Sequence, residues 1–169
     1  MDIAARRELL AQVEIFARCK RGDLKTMAKS AQEVRYAPGE VLCRQGERGV
    51  AMFVVVEGRV KIVEDMPDGN TVLLGHLGPR AAVGEMAVID GEERMATVIA
   101  DEPTTCLTLT SWDLKAAIRE RPMIAFDILL TVVRRFRETT TELRRIKRES
   151  LVPGGEAQGG PGRGSGIRG

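Results

Sequence analysis

Two kinds of hydrophobic periodicity divide the chain. Apolar residues recur every three or four positions in Ala4 to Phe16 and in Asp23 to Ala31, and this spacing predicts two packing helices. The residues expected to face the core are Leu9, Leu10, Val13, Phe16, Leu24, Met27 and Ala28.

From Tyr36 onward the spacing becomes that of short strands separated by turn residues. Met52 to Val56 is a continuous and mostly β-branched run, and Asp68 to Asn70 forms a hairpin turn into Thr71 to Leu74. The other predicted strands contain Val60 and Ile62, Thr97 to Ala100, and Thr105 to Leu109. Such a series predicts a small antiparallel roll of the jelly-roll type, which a purely structural protein could also have. The fold class is therefore α+β, mainly β, with helices flanking the roll.

Helical spacing returns in the last third of the chain. Ser111 is the predicted N-cap of a helix through Ile118, and Pro122 is placed to begin a long helix that extends to about Glu149. Apolar and small residues alternate along this helix at spacings of four and three, as in the a/d seam of a coiled coil. The seam comprises Ala125, Leu129, Val132, Phe136, Thr139, Leu143 and Ile146.

A seam of this kind needs a partner. We expect the part through Phe126 and Leu130 to pack on the roll, and the part beyond Phe136 to pair with a second copy, giving a homodimer. The alternatives are that the whole helix packs on its own roll, or that its arginine-rich face binds nucleic acid. Only 4% of the residues are aromatic and none interleaves with these arginines, which favours a solvated coiled-coil flank.

Composition changes this picture little. At 169 residues, with 43% hydrophobic and 30% charged residues, the chain suits one globular domain, and a net charge of +2 indicates no particular partner. The sequence contains no apolar run of membrane-spanning length, and MDIAARRELL lacks the apolar core of a signal peptide, so we expect a cytoplasmic protein. Cys19, Cys43 and Cys106 are odd in number, widely separated and next to apolar residues, which favours buried free thiols over disulfides or a metal site.

The glycine-rich C-terminus is set apart from the domain, which we place at residues 1–150. Residues 151–169 have no apolar period and predict a disordered tail. Two Arg-Gly pairs are a weak indication of RNA binding.

The strongest chemical signal is VGEMAVIDGEERMAT, residues 83–97. Gly84 lets the backbone approach a ligand, and the short apolar segment that follows predicts a helical turn whose first N–H groups, near Met86 and Ala87, attract an anion. Arg94 can bind phosphate oxygens with two parallel bonds, whereas Glu85 can only accept and suits a sugar hydroxyl. The combination suggests a nucleotide, although the Glu to Arg spacing alone would also fit an exposed salt bridge.

The motifs occur in a characteristic order. PGEVL, QGE, AMFVVVEGRVKIV, DGNTVLLGHLGP and VGEMAVIDGEERMATVIA follow one another from Pro38. Together they resemble the cyclic nucleotide-binding domain family, which includes regulatory subunits of cAMP-dependent kinase, catabolite activator proteins and cyclic nucleotide-gated channels. The resemblance runs from about Leu9 to Thr140.

The resemblance implies specific ligand contacts. Glu85 would accept a hydrogen bond from the ribose 2′-hydroxyl, and Arg94 would bind the cyclic phosphate. Family members that prefer cGMP commonly have Thr directly after this arginine; Met95 has no such donor, which favours cAMP over cGMP. Thr139 and Thr140 fall where catabolite activator proteins carry residues that reach the adenine, so the long helix would also be a lid, unless both hydroxyls bond backbone carbonyls one turn earlier. The expected ligand-binding residues are Leu74, Gly84, Glu85, Met86, Ala87, Arg94, Met95, Ala96, Thr139 and Thr140.

Three residues depart from the family pattern. Val83 replaces a usual aromatic residue, Glu93 a frequent Pro, and Arg80 a common Gly. Neither Val83 nor Glu93 removes a ligand contact, whereas Arg80 is expected to alter the loop that leads into the Gly-Glu segment. A degenerate fold that binds no nucleotide and serves as a dimerisation or docking module is the alternative function.

Other functions fit less well. The segment after the long helix has neither the length nor the periodicity of a helix-turn-helix domain, so we expect no DNA-binding domain. A cupin-type metalloenzyme needs several metal ligands, but His76 is the one histidine, expected as a solvated residue near the pocket mouth. We therefore expect a cAMP-binding regulatory module that is not an enzyme and binds no metal.

Overall fold

The computed structural model describes residues 1–151, so the predicted disordered tail lies, except for Leu151, outside the described residues. The described chain divides into two units, residues 1–134 and the residues from 135 onward. The first unit contains every strand of the described chain and the beginning of the last helix. Within residues 1–151, no helix is both long and apolar enough to cross a membrane.

Eight strands in the described chain form two four-stranded antiparallel sheets. One sheet has the order β1-β8-β3-β6 and the other the order β2-β7-β4-β5. The predicted antiparallel roll is therefore confirmed. The strands are β1 (Gln32–Tyr36), β2 (Val41–Cys43), β3 (Ala51–Glu57), β4 (Val60–Asp65), β5 (Thr71–Leu77), β6 (Ala82–Val83), β7 (Thr97–Ala100) and β8 (Thr104–Thr110).

Strand β3 is buried on both faces, which explains its unbroken apolar sequence. Successive side chains of a strand point to opposite faces. Met52 and Val54 belong to a core shared with the helices, whereas Phe53 and Val55 belong to the core inside the roll. The continuous run predicted as a buried strand is thus shared between two hydrophobic clusters.

The N-terminal helices are α1 (Ile3–Ala11) and α2 (Arg21–Ser30). The predicted helix from Ala4 to Phe16 is too long, because α1 ends at Ala11 and a separate 3-10 turn covers Glu14–Phe16. The break lets Ile15 join the buried face, which a continuous helix would not allow. All the predicted core residues of these segments except the half-buried Leu9 are fully buried.

Helix α3 (Glu85–Asp90) follows β6. Helices α4 (Ser111–Glu120) and α5 (Met123–Leu151) follow β8. The N-cap of α4 is Thr110 and not the predicted Ser111, because the Thr110 hydroxyl accepts from the backbone N–H of Asp113. Prediction of the long helix from residue 122 is confirmed, and α5 has 29 residues.

The core-facing side of early α5 differs from the prediction. Phe126 is about half exposed and Leu130 only partly buried, while Ile124, Ile128 and Thr131 are the residues that pack inward. Their spacing of four and three defines one helical face, turned away from Phe126. Thr131 satisfies its buried hydroxyl by donating to the Asp127 carbonyl at 3.2 Å.

Candidate functional site

The predicted anion-binding segment has the local structure that its sequence indicates. Strand β6 ends at Val83, Gly84 is the N-cap of α3 and Gly91 is its C-cap. Both glycines have φ of 79°, a left-handed conformation that residues with a Cβ rarely adopt. The first helical hydrogen bond joins Val88 N–H to the Gly84 carbonyl at 3.3 Å, so Met86 and Ala87 have no intrahelical acceptor for their N–H groups.

Gly84 is required for a second reason. A Cβ built on Gly84 would lie 2.0 Å from Arg94 Nη1, closer than any real contact. The missing side chain therefore creates the space in which the guanidinium lies. This close approach links the two parts of the motif, the Gly-Glu pair and the arginine.

The segment carrying Arg94 is held by the loop before β3. Arg94 N–H donates to the Glu47 carbonyl at 2.8 Å, and Gly46 N–H donates to the Arg94 carbonyl at 2.9 Å. Gly49 N–H donates to the Glu92 carbonyl at 3.1 Å. A Cβ on Gly49 would lie 2.1 Å from the Ala87 Cβ, so this loop also packs tightly against α3.

Arg94 is a buried cation, with 6% of its surface exposed. Its Nη1 donates to the Gly84 carbonyl at 3.0 Å, its Nη2 donates to the Ala51 carbonyl, and its Cζ lies 5.9 Å from the centre of the Phe53 ring. Phe53 is in turn held edge-on by Tyr36. Within residues 1–151, the partners described for this guanidinium are two carbonyl oxygens and the Phe53 ring.

These residues line a cavity of about 400 Å³, within the range of small-molecule sites. Seven of the ten predicted ligand-binding residues contribute to its wall: Gly84, Glu85, Met86, Ala87, Arg94, Met95 and Ala96. The wall also includes apolar residues from the roll that the sequence did not indicate. These are Cys43, Ile62, Leu77, Ala82, Val83 and Val98, and the acidic residues Asp90, Glu92 and Glu93 complete the lining.

The remaining three predicted residues are Leu74, Thr139 and Thr140. Leu74 lies on β5 and is exposed, outside the cavity lining. Thr139 and Thr140 belong to the second unit, where Thr140 Oγ1 donates to the Phe136 carbonyl at 2.8 Å. His76 lies on β5 at the edge of its sheet, with Nε2 3.6 Å from a carboxylate oxygen of Asp101, and is not among the lining residues.

The cysteines are all free and buried, as predicted. Burial raises the pKa of the Cys43 thiol, although the nearby Arg94 charge opposes this shift. Burial raises the pKa of Cys19 and of Cys106 to about 12. The thiols are therefore protonated at neutral pH and are poor nucleophiles and poor metal ligands. Among residues 1–151, no group of three or more His, Cys, Asp or Glu side chains is placed to hold a metal ion.

An antiparallel roll with a short helix, a glycine-capped turn and a buried arginine on one cavity defines a class of small-ligand sensor domain. Residues 33–121 match the family model of the cyclic nucleotide-binding domain. The chain belongs to this family, as the sequence resemblance predicts.

Similar proteins include bacterial transcription factors. The chain is 35% identical over 108 residues to the cyclic AMP receptor protein of Thermus thermophilus, covering 64% of this chain and 50% of that protein. It is 28% identical over 136 residues to a CRP-like cAMP-activated global transcriptional regulator of Mycobacterium tuberculosis, covering 80% of this chain and 61% of the relative. The chain thus spans about half to three-fifths of these two proteins.

A solved structure of similar extent is the N-terminal domain of a transcriptional regulator from Streptomyces coelicolor. It superimposes with a TM-score of 0.71 at 33% identity, over 78% of this chain and 94% of that domain.

Proposed function

We propose that this chain is a regulatory module that binds cAMP. The observation that carries the proposal is the buried Arg94 guanidinium at the wall of the cavity, with neutral carbonyl oxygens and an aromatic ring as its described partners. A buried charge is costly unless it is paired. A phosphate ligand with one negative charge would pair with this guanidinium.

The phosphate position follows from the donors available. A guanidinium has five N–H donors, and the two carbonyl bonds described for Arg94 leave three for phosphate oxygens. The backbone N–H groups of Met86 and Ala87 lie on the same cavity and add neutral donors. The cyclic phosphate of the ligand would replace water at this position, where the Arg94 and backbone donors are already held in place.

The sugar position follows from Glu85. Glu85 lies in the first turn of α3 and lines the cavity, and an ionised carboxylate is a hydrogen-bond acceptor. A ribose 2′-hydroxyl is a donor of matching chemistry. We therefore assign the ribose to Glu85 and the cyclic phosphate to Arg94.

The cavity lining favours adenine over guanine. Apart from Arg94, the lining side chains offer one weak donor, the Cys43 thiol, whereas Asp90, Glu92 and Glu93 are acceptors. At position 6 of the purine, adenine carries an amino donor that these carboxylates can accept, whereas guanine carries an acceptor oxygen for which the Met95 thioether is no donor. The names of the Thermus and Mycobacterium relatives, which refer to cAMP, support the same choice.

A regulatory role suits the site better than a catalytic one. The lining residues include no His, Ser, Thr, Tyr or Lys, and the groups that could act as a general base are the carboxylates of Glu85, Asp90, Glu92 and Glu93. The Cys43 thiol has a raised pKa, which disfavours the thiolate. Family membership and the anion-binding geometry support binding, with the signal passed to another element.

We also propose that α5 pairs with a second copy of itself. Within the described part of the second unit, the seam residues Phe136, Leu143 and Ile146 are exposed. Arg145 forms ion pairs with Glu142 and Glu149 on another part of the helix surface, as expected for a solvated coiled-coil flank.

Calorimetric titration with cAMP tests the binding site. Arg94→Ala should weaken binding by about 2 to 5 kcal/mol, or about 1.5 to 3.5 decades in Kd, the cost of truncating one member of a desolvated charge pair. The matched control is Arg59→Ala, because Arg59 is an exposed arginine paired with Asp101 at 3.0 Å outside the cavity. It should leave the Kd of cAMP unchanged. No heat from wild type at millimolar cAMP would favour the ligand-free docking module, and equal binding by Arg94→Ala would contradict the site assignment.

A further inference from the structure

The two most exposed methionines of this chain line the same cavity. Met95 is 73% exposed and Met86 is 58% exposed. Of the seven methionines in the sequence, Met27 and Met52 are fully buried in the core. Met1, Met66 and Met123 are exposed to a lesser degree and lie away from the cavity lining.

Both methionines belong to the segment that carries the proposed phosphate site, at the wall of the same cavity. Met86 lies in the first turn of α3, two residues after Gly84, and Met95 directly follows Arg94. Ile62 and Leu77, from the roll, also line this cavity and are apolar. A flexible, polarisable thioether packs favourably against an aromatic ring, and a purine is such a ring.

We propose that Met86 and Met95 form an oxidation site in the nucleotide cavity, at which a hydroperoxide converts thioether to sulfoxide and weakens cAMP binding. The inference rests on the proposed function, because it takes the purine to be the group that these side chains contact. It adds a second input, the oxidant, to the same site.

The chemistry is a two-electron oxidation of sulfur. A sulfur lone pair attacks the terminal oxygen of the hydroperoxide, the S–O bond forms and the O–O bond breaks. The leaving oxygen takes a proton and departs as water or alcohol. Methionine sulfoxide reductases reverse the step with a dithiol, which becomes a disulfide while the oxygen leaves as water.

The methionines, and not the cysteines, are the exposed sulfur groups of this cavity. Cys43 also lines it but is buried, and burial raises the pKa of its thiol. A thiol reacts with peroxide through its thiolate, so the shift lowers its reactivity. Thioether sulfur has no proton to lose, and its oxidation follows its exposure.

A sulfoxide at either position replaces an apolar contact with a polar and chiral group. The purine ring would then meet an oxygen for which the lining side chains offer only Arg94 and the weak Cys43 thiol as donors. We expect the Kd for cAMP to rise about tenfold, the change that corresponds to roughly 1.4 kcal/mol.

The first experiment measures which methionines the ligand protects. The protein is treated with hydrogen peroxide with and without saturating cAMP, and the sulfoxide at each methionine is quantified by peptide mass spectrometry. Met95 and Met86 should oxidise fastest in the free protein, and cAMP should slow these two without slowing Met66 or Met123. Equal rates at Met86 and Met95 with and without cAMP would overturn the assignment.

The second experiment measures the ratio of the cAMP Kd after and before oxidation. Wild type and the matched control Met66→Leu with Met123→Leu should both show a ratio of about ten, restored by a sulfoxide reductase. Met86→Leu with Met95→Leu should show a ratio near one, whatever its own starting Kd. If reduced wild type binds cAMP and oxidised wild type binds it equally, the proposed function stands and the oxidation site is refuted. If reduced wild type binds no cyclic nucleotide, the proposed function itself is wrong.

Discussion

At the scale of single residues, Arg80 has an unfavourable backbone conformation that its side chain does not explain. Its φ is 75°, and it is the one residue other than glycine in the described chain with a positive φ. The left-handed conformation costs a residue with a Cβ about 1 to 2 kcal/mol. Its N–H donates to the Val55 carbonyl at 2.8 Å, and this bond holds the turn into β6 in place.

Arg80→Gly should therefore stabilise the protein. The free energy of unfolding should rise by about 0.5 to 1 kcal/mol, after allowance for the greater entropy of glycine in the unfolded chain. Urea denaturation measures this change. Arg35→Gly is the control, because Arg35 is an exposed arginine in β1 with an ordinary conformation, and it should be destabilising. A loss of stability in Arg80→Gly would show that the Arg80 side chain makes a contribution that outweighs the strain.

Met95 is the residue at which we expect base preference to change. Wild type should prefer cAMP by about one to two decades, since a missing hydrogen bond to a buried polar edge costs about 1 to 3 kcal/mol. Met95→Thr supplies a hydroxyl and should reduce the ratio of the cGMP Kd to the cAMP Kd. Competition of both nucleotides against a fluorescent analogue measures this ratio. Met66→Thr, at a methionine away from the cavity, should leave the preference unchanged. Equal or tighter binding of cGMP by wild type would refute this expectation.

At the scale of elements, the question is what covers the seam of α5. Phe136 is 72% exposed and Leu143 is 50% exposed, and large apolar side chains at a/d spacing are stabilised by a second helix. Thr140 donates its hydroxyl to the carbonyl one turn earlier, which is the backbone-bonded alternative for that residue. The lid role of Thr139 and Thr140 stays a prediction.

Replacing Phe136 and Leu143 with Glu should yield monomers in sedimentation velocity. Dimer formation would bury both carboxylates away from water and without a charge partner. The apolar contacts that remain in the seam would not offset this desolvation cost. The neighbouring substitutions Arg137→Glu and Arg144→Glu introduce the same residue off the seam and should leave dimers. Dimers in the Phe136 and Leu143 variant would show that the seam is not the interface.

At the scale of the whole molecule, a buried ion pair joins residues far apart in sequence. Asp23, 2% exposed in the first turn of α2, accepts from Arg121 at the end of α4. The same carboxylate accepts from the Lys20 N–H at 3.3 Å. Sequence patterns gave no indication of this pair, because the two residues are 98 positions apart.

Removing the arginine of this pair should destabilise the fold more than removing the aspartate. Arg121→Ala leaves a buried carboxylate unpaired and should destabilise the fold by about 3 to 5 kcal/mol. Asp23→Ala leaves a half-exposed arginine that water can solvate, so we expect about 2 kcal/mol. Asp101→Ala, in an exposed pair with Arg59, should cost under about 1 kcal/mol. Chemical denaturation measures all three, and a smaller cost for Arg121→Ala than for Asp23→Ala would contradict the argument.

The sequence alone determined the parts of this protein that depend on local physics. Gly84 and Gly91 cap α3 because only glycine readily adopts the left-handed conformation there, and seven of the ten predicted ligand-binding residues line the cavity because one short segment carries them. The boundaries of β7 and the burial of the three cysteines follow equally from local periodicity and composition, whereas α2 begins two residues before the predicted Asp23 and ends one residue before the predicted Ala31.

Tertiary structure alone decided which residues line the cavity opposite the segment from Val83 to Thr97. Cys43, Ile62 and Leu77 reach the cavity because the pairing of β2, β7, β4 and β5 brings distant strands together, and nothing in their own apolar sequence distinguishes them from core residues. The same holds for Gly49, which is needed because Ala87 lies 2.1 Å from where its Cβ would be. Local conformation depends on each residue's neighbours in sequence, whereas the shape of the cavity depends on contacts that form only when the roll closes.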